Sequence, residues 1–200
     1  MCIATCRCCR CAGFCPKSRL VVLTVFLIFL VAAAGCDRVV SDEARRRFEA
    51  RTGPFSATVF PIHVIAGSRM AHDTELAERL AEFLRASHLA DPTLATEEIK
   101  MPAYYATTET KRIRLNARHF KRALDQIDLA TDYAFMAEIV CSPDKTRVLG
   151  VYFYLADRFG RIASARMANS HHREFQKIHP KNRRDGFRVL KEMIREGWLS

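Results

Sequence analysis

The apolar run Leu20–Ala34 constrains this chain most, because it sets the N-terminus apart from whatever folds after it. Its 15 residues carry no charge, and it follows a stretch holding Arg7, Arg10, Lys17 and Arg19 without an acidic residue. A basic region, an apolar region and then the small residues Ala32, Ala33, Ala34 and Gly35 make the pattern of a secretory signal. A membrane-spanning helix needs roughly 20 apolar residues, so the run is short for a permanent span. An uncleaved signal anchor is the alternative, since tilt and bilayer thinning accommodate short helices.

Cysteines follow the same division. Cys2, Cys6, Cys8, Cys9, Cys11, Cys15 and Cys36 precede the domain, and only Cys141 lies within it, so an internal disulfide is excluded there. The early cluster has the composition of a metal knuckle, but zinc ligands need a folded scaffold to hold them. Discarded signal residues explain the cluster better, and a true start further along the chain explains it equally well.

At 200 residues, 49% apolar and 27% charged, the chain has the balance of one globular domain. Its net charge of +10 falls to +6 from Cys36 onward, where 28 basic residues meet 22 acidic ones. Nucleic acid is the usual partner of a basic chain. An exported protein rarely meets it, so no nucleic acid is expected; anionic lipid, a cell-wall polymer or an acidic envelope protein takes its place.

Ala33-Ala34-Gly35-Cys36 resembles the lipobox of bacterial lipoproteins. That resemblance implies cleavage between Gly35 and Cys36, acyl chains on Cys36, and a membrane anchor on the periplasmic side. Two or three acyl chains give a stable anchor where one is marginal. Ala33 stands where leucine is commonest, and Ala32-Ala33-Ala34 also offers an ordinary cleavage site that would release a soluble protein. Asp37 resembles the inner-membrane retention signal of the enteric sorting system, with the outer membrane as the other destination.

The division expected is therefore a signal over 1–35, a lipidated cysteine and tether over 36–56, and one domain over 57–200. Within the tether, Arg45-Arg46-Arg47 is basic and Thr52-Gly53-Pro54 breaks structure. Thr58–Ile65 alternates as a strand buried on both faces, with Pro61 pointing to an edge or strand-start position. Asp73 caps a helix whose stripe is Leu76, Leu80, Phe83 and Leu84, ending before Asp91-Pro92. Residues 93–115 read poorly, with short strands at Ile99–Thr107 and Arg112–Leu115; Asn116 then caps a second helix burying Phe120, Leu124 and Ile127.

Three strand-like runs, Tyr133–Cys141, Arg147–Ala156 and Arg161–Ala168, are joined by short turn-rich segments and predict an antiparallel meander. The last helix, Arg184–Trp198, sets Phe187, Leu190, Ile194 and Trp198 on one stripe. The fold class expected is α/β, with α+β character: a mixed sheet, a C-terminal three-strand meander and about three covering helices.

Thr58-Val59-Phe60-Pro61-Ile62, the run Thr131–Ile139 with its Asp-Tyr opening, and Asp157-Arg158-Phe159-Gly160-Arg161-Ile162 together resemble an α/β domain family. That domain is shared by the amino-terminal part of the Tol-system propeller protein, the curli-secretion lipoprotein and the lipoprotein activators of penicillin-binding proteins. The resemblance spans most of residues 57–168 and leaves 93–115 unmatched. It implies a binding or assembly role rather than catalysis.

Chemistry offers few candidates. Asn169-Ser170-His171-His172 with Glu174 and His179 contains zinc-ligand types, yet adjacent residues on a strand point apart, so a polar turn is the better reading and no metal is expected. Cys141 lies between apolar residues and reads as core, although Cys141 or the His171-His172 region is where an envelope hydrolase would have its machinery. Asp132 and Glu138 are carboxylates that no spacing singles out. No hydrolase, phosphate-loop or dinucleotide motif is present, so neither catalysis nor a cofactor is expected. The best functional surface is basic: Lys181, Arg184, Arg188, Lys191 and Arg195, beside the apolar stripe, suit an anionic partner or a membrane surface.

Overall fold

In the computed structural model, which describes residues 39–101 and 108–198, Pro61 splits the strand expected over 58–65. β1 (Phe55–Val59) and β2 (Ile62–Ala66) run end to end, both parallel to one long strand, β5 (Tyr133–Cys141). Proline has no N–H to give a ladder, and the ladder absorbs it with one extra residue. The four steps from Val59 to His63 face only three from Phe135 to Glu138. Phe60 N–H still donates to the Phe135 carbonyl at 3.0 Å, which confines the interruption. Pro61 thus precedes a strand start, as its chemistry demands, but inside the sheet.

The remaining strands build outward from this axis. Gly67, at φ +59°, turns β2 into an antiparallel partner, β3 (Arg69–Asp73), and β4 (Ala90–Leu94) runs parallel to β1. On the other side β6 (Val148–Asp157) and β7 (Ile162–Ala168) complete the expected meander. The result is a mixed sheet of seven strands among the described residues, in which β3 and β4 share one outer edge and β7 forms the other.

Five helices are described rather than about three: α1 (Asp42–Glu49), α2 (Thr74–Ala86), α3 (Glu109–Leu124), α4 (Arg173–Ile178) and α5 (Arg183–Trp198). Alternation along β6 decides which face each covers. Val151, Phe153 and Leu155 point to a core shared with α1, α2 and α5; Tyr152 and Tyr154 point to a second core under α3, completed by Ile99 and Met101. No helix among the described residues is long and apolar enough to cross a membrane.

Several elements differ from what the sequence leads one to expect. The tether over 36–56 holds folded structure: Ser41 caps α1 by accepting from Ala44 N–H at 3.3 Å, its own N–H donates to the Ile162 carbonyl at 2.8 Å, and Ala44 and Phe48 are buried. Phe48 packs edge-on against Phe55, Tyr133 and Trp198 at 5.2 to 5.4 Å, so the compact unit begins at Val39 and not at 57. Asn116 is no cap; α3 starts at Glu109, with Thr108 accepting from Lys111 N–H, and absorbs the strand expected at Arg112–Leu115. The helix after Asp73 does end before Asp91-Pro92, and that pair lies within β4, where Pro92 is in register with Ala57. The turn expected after β7 contains the short helix α4. Of the strand expected over 99–107, Ile99 and Met101 are core residues outside any strand, and 102–107 lie outside the described residues.

Candidate functional site

α5 lies on the sheet so closely that a Cβ added at Gly186 would sit 2.6 Å from Ile139 Cγ2. That approach buries Phe187, Leu190 and Ile194 and turns the basic flank of the helix toward α2. Arg184, Arg188, Lys191 and Arg195 recur at intervals of four, three and four residues, the spacing of one helix face. Asp73 starts α2 opposite them, accepting from Leu76 N–H at 3.0 Å.

Between the helices lies a groove of about 580 Å³. Leu76, Phe83, Ala86 and Phe187 form its floor, and Arg184, Arg188 and Lys191 stand along one wall with Arg79 on the other. Lys191 Nζ is 5.8 Å from the Phe83 ring centre and 5.4 Å from that of Phe187, and Arg195 Cζ is 5.2 Å from Phe83. These are cation–π distances. Arg79, Arg188 and Arg195 have acidic neighbours on their own helices, Glu75 at 2.7 Å, Asp185 at 3.6 Å and Glu192 at 2.6 Å. Exposed pairs of this kind contribute little, so the cations are readily redirected. Arg184 and Lys191 have no ion-pair partner among the described residues. Glu82 is the acidic residue of the lining, against Arg79, Arg184, Arg188 and Lys191, so the groove presents an excess of positive charge above an aromatic floor, a setting for an anionic group attached to an apolar one.

Four of the five basic residues expected to form a surface thus come together. Lys181 does not join them: it lines a separate depression with His179 and Pro180, and its backbone N–H donates to Asp185 Oδ2 at 3.1 Å. Arg79, which supplies the opposite wall, and Phe83 of the floor belong to a helix whose charged face the sequence presents as merely solvated. Gly35 and Cys36, the expected cleavage and lipidation positions, lie outside the described residues.

Cys141 and the His171-His172 region, where a hydrolase would have its machinery, make different contacts. Cys141 ends β5 and is buried, which pushes its thiol up against the opposing effect of Lys145. His172 and Asn169 instead close the turn after β7, with His172 Nδ1 2.8 Å from Asn169 Oδ1, while the Asn169 side chain also donates to Glu109 of α3. The His171 N–H donates to Asn169 Oδ1 at 2.9 Å. Among the described residues no group of three His, Cys, Asp or Glu side chains is arranged to hold a metal.

A polar row under α3 escapes sequence reasoning. His72, His63, Glu138 and Tyr152 are register neighbours across β3, β2, β5 and β6. His63 and Glu138 are each no more than 1% exposed. Asn116, mid-helix in α3, donates to Glu138 Oε2 at 2.6 Å, Arg112 Nε lies 3.7 Å from the same oxygen, and His63 Nδ1 lies 3.9 Å from Oε1. Burial, aided by the Glu138 charge, pushes the Tyr154 hydroxyl well above its ordinary value. Asp132 does not pair with Glu138: it precedes β5 by one residue and lies six positions from Glu138, roughly 20 Å along extended chain. Its carboxyl is held low by hydrogen bonds from Arg158 and Ser56 instead. The one legible signal was that His63 and Glu138 occupy strand positions where alternation calls for apolar side chains.

No protein-family model matches the sequence, and no curated protein does. Among solved structures, the chain is similar to an LpoB C-terminal domain from Salmonella enterica, at 13% identity over 64% of this chain and 93% of that one, with a TM-score of 0.36. It is also similar to a PelC dodecamer from Paraburkholderia phytofirmans, at 16% identity over 72% of this chain and 92% of that one, with a TM-score of 0.34.

Proposed function

We propose that this protein is a lipid-anchored binding module of the bacterial cell envelope, without a catalytic step, that docks an anionic partner in the groove between α2 and α5. The observation that carries the reading is the groove itself, where Arg184 and Lys191 have no ion-pair partner among the described residues, cations outnumber the one acidic lining residue, Glu82, and Lys191 stands over Phe83 and Phe187. Enclosed positive charge raises the local concentration of an anionic partner, and the aromatic floor adds the apolar contact that gives it residence. An envelope protein with an acidic, partly apolar face fits this chemistry better than a purely polar cell-wall polymer, which would leave the floor unused. Anchoring through Cys36 would hold the domain at the periplasmic membrane surface, with α1 starting only a few residues from the lipid.

The test uses the full chain in its membrane. Chemical crosslinking should recover an envelope protein with the native sequence and lose it with Arg184→Glu and Lys191→Glu combined. Equal recovery by both chains would remove the groove from the function. Intact mass of the membrane-extracted protein tests the anchor separately: a chain starting at Cys36 with added acyl groups, abolished by Cys36→Ser, is the expected result, and an unmodified or uncleaved chain would overturn it.

A further inference from the structure

Neither α2 nor α5 reaches one corner of the sheet. The hairpin of β2 and β3 turns at Gly67, against Pro143 of the β5–β6 turn, while α2 begins only after Asp73 and α5 at Arg183. The side chains that meet there are small: Val64 is in register with Ala71, and the buried Ala66 with both Arg69 and the buried Cys141. The result is a second cavity, of about 520 Å³, whose lining includes Val64, Ala66, Ala71 and Cys141. It shares no lining residue with the α2–α5 groove. Its volume lies within the roughly 300–1,000 Å³ of small-molecule sites, and its makeup, apolar with a few charged groups, is theirs too.

Three cations line this cavity, and they are not equivalent. Arg183 is committed, 2.7 Å from Asp73 Oδ2 and 4.0 Å from Glu75 Oε2. Arg69 and Lys145 have no ion-pair partner among the described residues. Lys145 is held in the left-handed region at φ +58°, its N–H donating to the Ser142 carbonyl at 2.8 Å, and its charge acts on the Cys141 thiol. Asp144, next to it in the chain, is occupied by the hydroxyls of Ser142 and Thr146 and does not neutralise it. Two cations without an ion-pair partner among the described residues therefore border an apolar recess that none of those residues' side chains fills.

We infer that this corner cavity binds a small amphipathic anion, an alkyl chain ending in a carboxylate, with the chain against Val64, Ala66, Ala71 and Cys141 and the carboxylate between Arg69 and Lys145. An inorganic anion would leave the recess empty, and an uncharged alkane would leave both cations unpaired. Only a ligand with both parts satisfies the whole surface.

Cys141 reports occupancy directly. Alkylation of the full-length protein by N-ethylmaleimide is followed by mass spectrometry on the peptide containing Cys141, which separates it from the cysteines at the N-terminus, and the unfolding midpoint is recorded in parallel. The probes are sodium decanoate below its micellar concentration, decanol and acetate. Decanoate at about ten times its dissociation constant should slow Cys141 alkylation about tenfold, as the unliganded fraction falls, and should raise the midpoint. Decanol and acetate should do neither at the same concentration. Arg69→Glu combined with Lys145→Glu should abolish both effects, as should Ala71→Phe, which fills the recess from an exposed strand position. A midpoint that decanoate leaves unmoved, equal effects of decanoate and decanol, or protection that survives the charge reversal would each overturn the inference.

Discussion

The two faces of the sheet bury their side chains by different means. Under α1, α2 and α5 the centre of the core is aromatic: Phe135 and Phe153 stack at 5.5 Å with 18° between their planes, and Trp198 meets both edge-on at 5.8 and 5.6 Å. Under α3 the centre of the sheet holds His63, Glu138, Asn116 and Tyr154, each buried, with a carboxylate that must be satisfied by neighbours. Burying apolar area is favourable wherever it happens, whereas a buried polar group is stabilising only with its hydrogen bonds in place. Both faces bury apolar side chains, but the face without a buried carboxylate at its centre is the one whose helices carry the basic groove, an arrangement suited to holding a binding surface in fixed geometry. The other face keeps a polar network whose integrity depends on single contacts.

This contrast is open to measurement, beginning where the effect is largest. Phe153→Ala should cost about 4 kcal/mol of unfolding free energy in a denaturant titration, through lost burial and the cavity left behind. A loss under about 1 kcal/mol would show that the apolar face does not carry the fold. Asn116→Ala removes the hydrogen bond to a buried carboxylate and should cost about 2 kcal/mol. His63→Leu is the sharper case: neither ring nitrogen of His63 has a hydrogen-bond partner among the described residues, and 3.9 Å to Glu138 is too long for one. Replacing such a group by an apolar one should change stability by less than about 1 kcal/mol. A larger loss would show that His63 supports Glu138 after all.

Acid sensitivity discriminates between buried and edge contacts. Asp132 is held below the usual carboxylate range by Arg158 and Ser56. Such a group stabilises the fold above the unfolded carboxylate pKa of about 3.9, and the contribution disappears as pH falls through its lowered value. Asp132→Asn should therefore flatten the decline of the unfolding midpoint on the acid side below about pH 4 while leaving the slope near neutrality alone. An unchanged acid slope would move the responsibility elsewhere. Smallest of all, Arg184→Glu with Lys191→Glu should alter stability by no more than about 0.5–1 kcal/mol, since Arg184 is exposed and Lys191 loses only its cation–π contacts to Phe83 and Phe187.

The parts of the molecule legible in sequence are those whose burial is repeated locally. β5, β6 and β7 read as apolar runs between turns, and α5 as a stripe of Phe187, Leu190 and Ile194, because each element carries enough apolar residues to show its own period. α1 was hidden because only Ala44 and Phe48 are buried in a segment dominated by Arg45-Arg46-Arg47. β3 and β4 are short edge strands, with the sequences Arg-Met-Ala-His-Asp and Ala-Asp-Pro-Thr-Leu, whose pairing is set by their neighbours and not by their own propensity. Half of the groove was readable for the same reason: its basic wall has helical spacing on one element. Arg79 of the opposing wall and Phe83 of the floor come from a helix far away in the chain, and only tertiary packing brings the two helices together. Register alone creates the polar row, which no single segment displays.

Site-specific photocrosslinking in the native membrane tests the groove most directly, with a photoreactive residue at Phe83 in one full-length chain and at Phe159 in another. Phe83 lines the groove, and Phe159 is the most exposed large apolar residue among those described, at 64%, in the turn between β6 and β7. An envelope-protein adduct is predicted at position 83, disappearing on reversal of Arg184 and Lys191, with none at position 159. An adduct at 159 with none at 83 would contradict a groove-centred function and move the binding surface to the turn between β6 and β7.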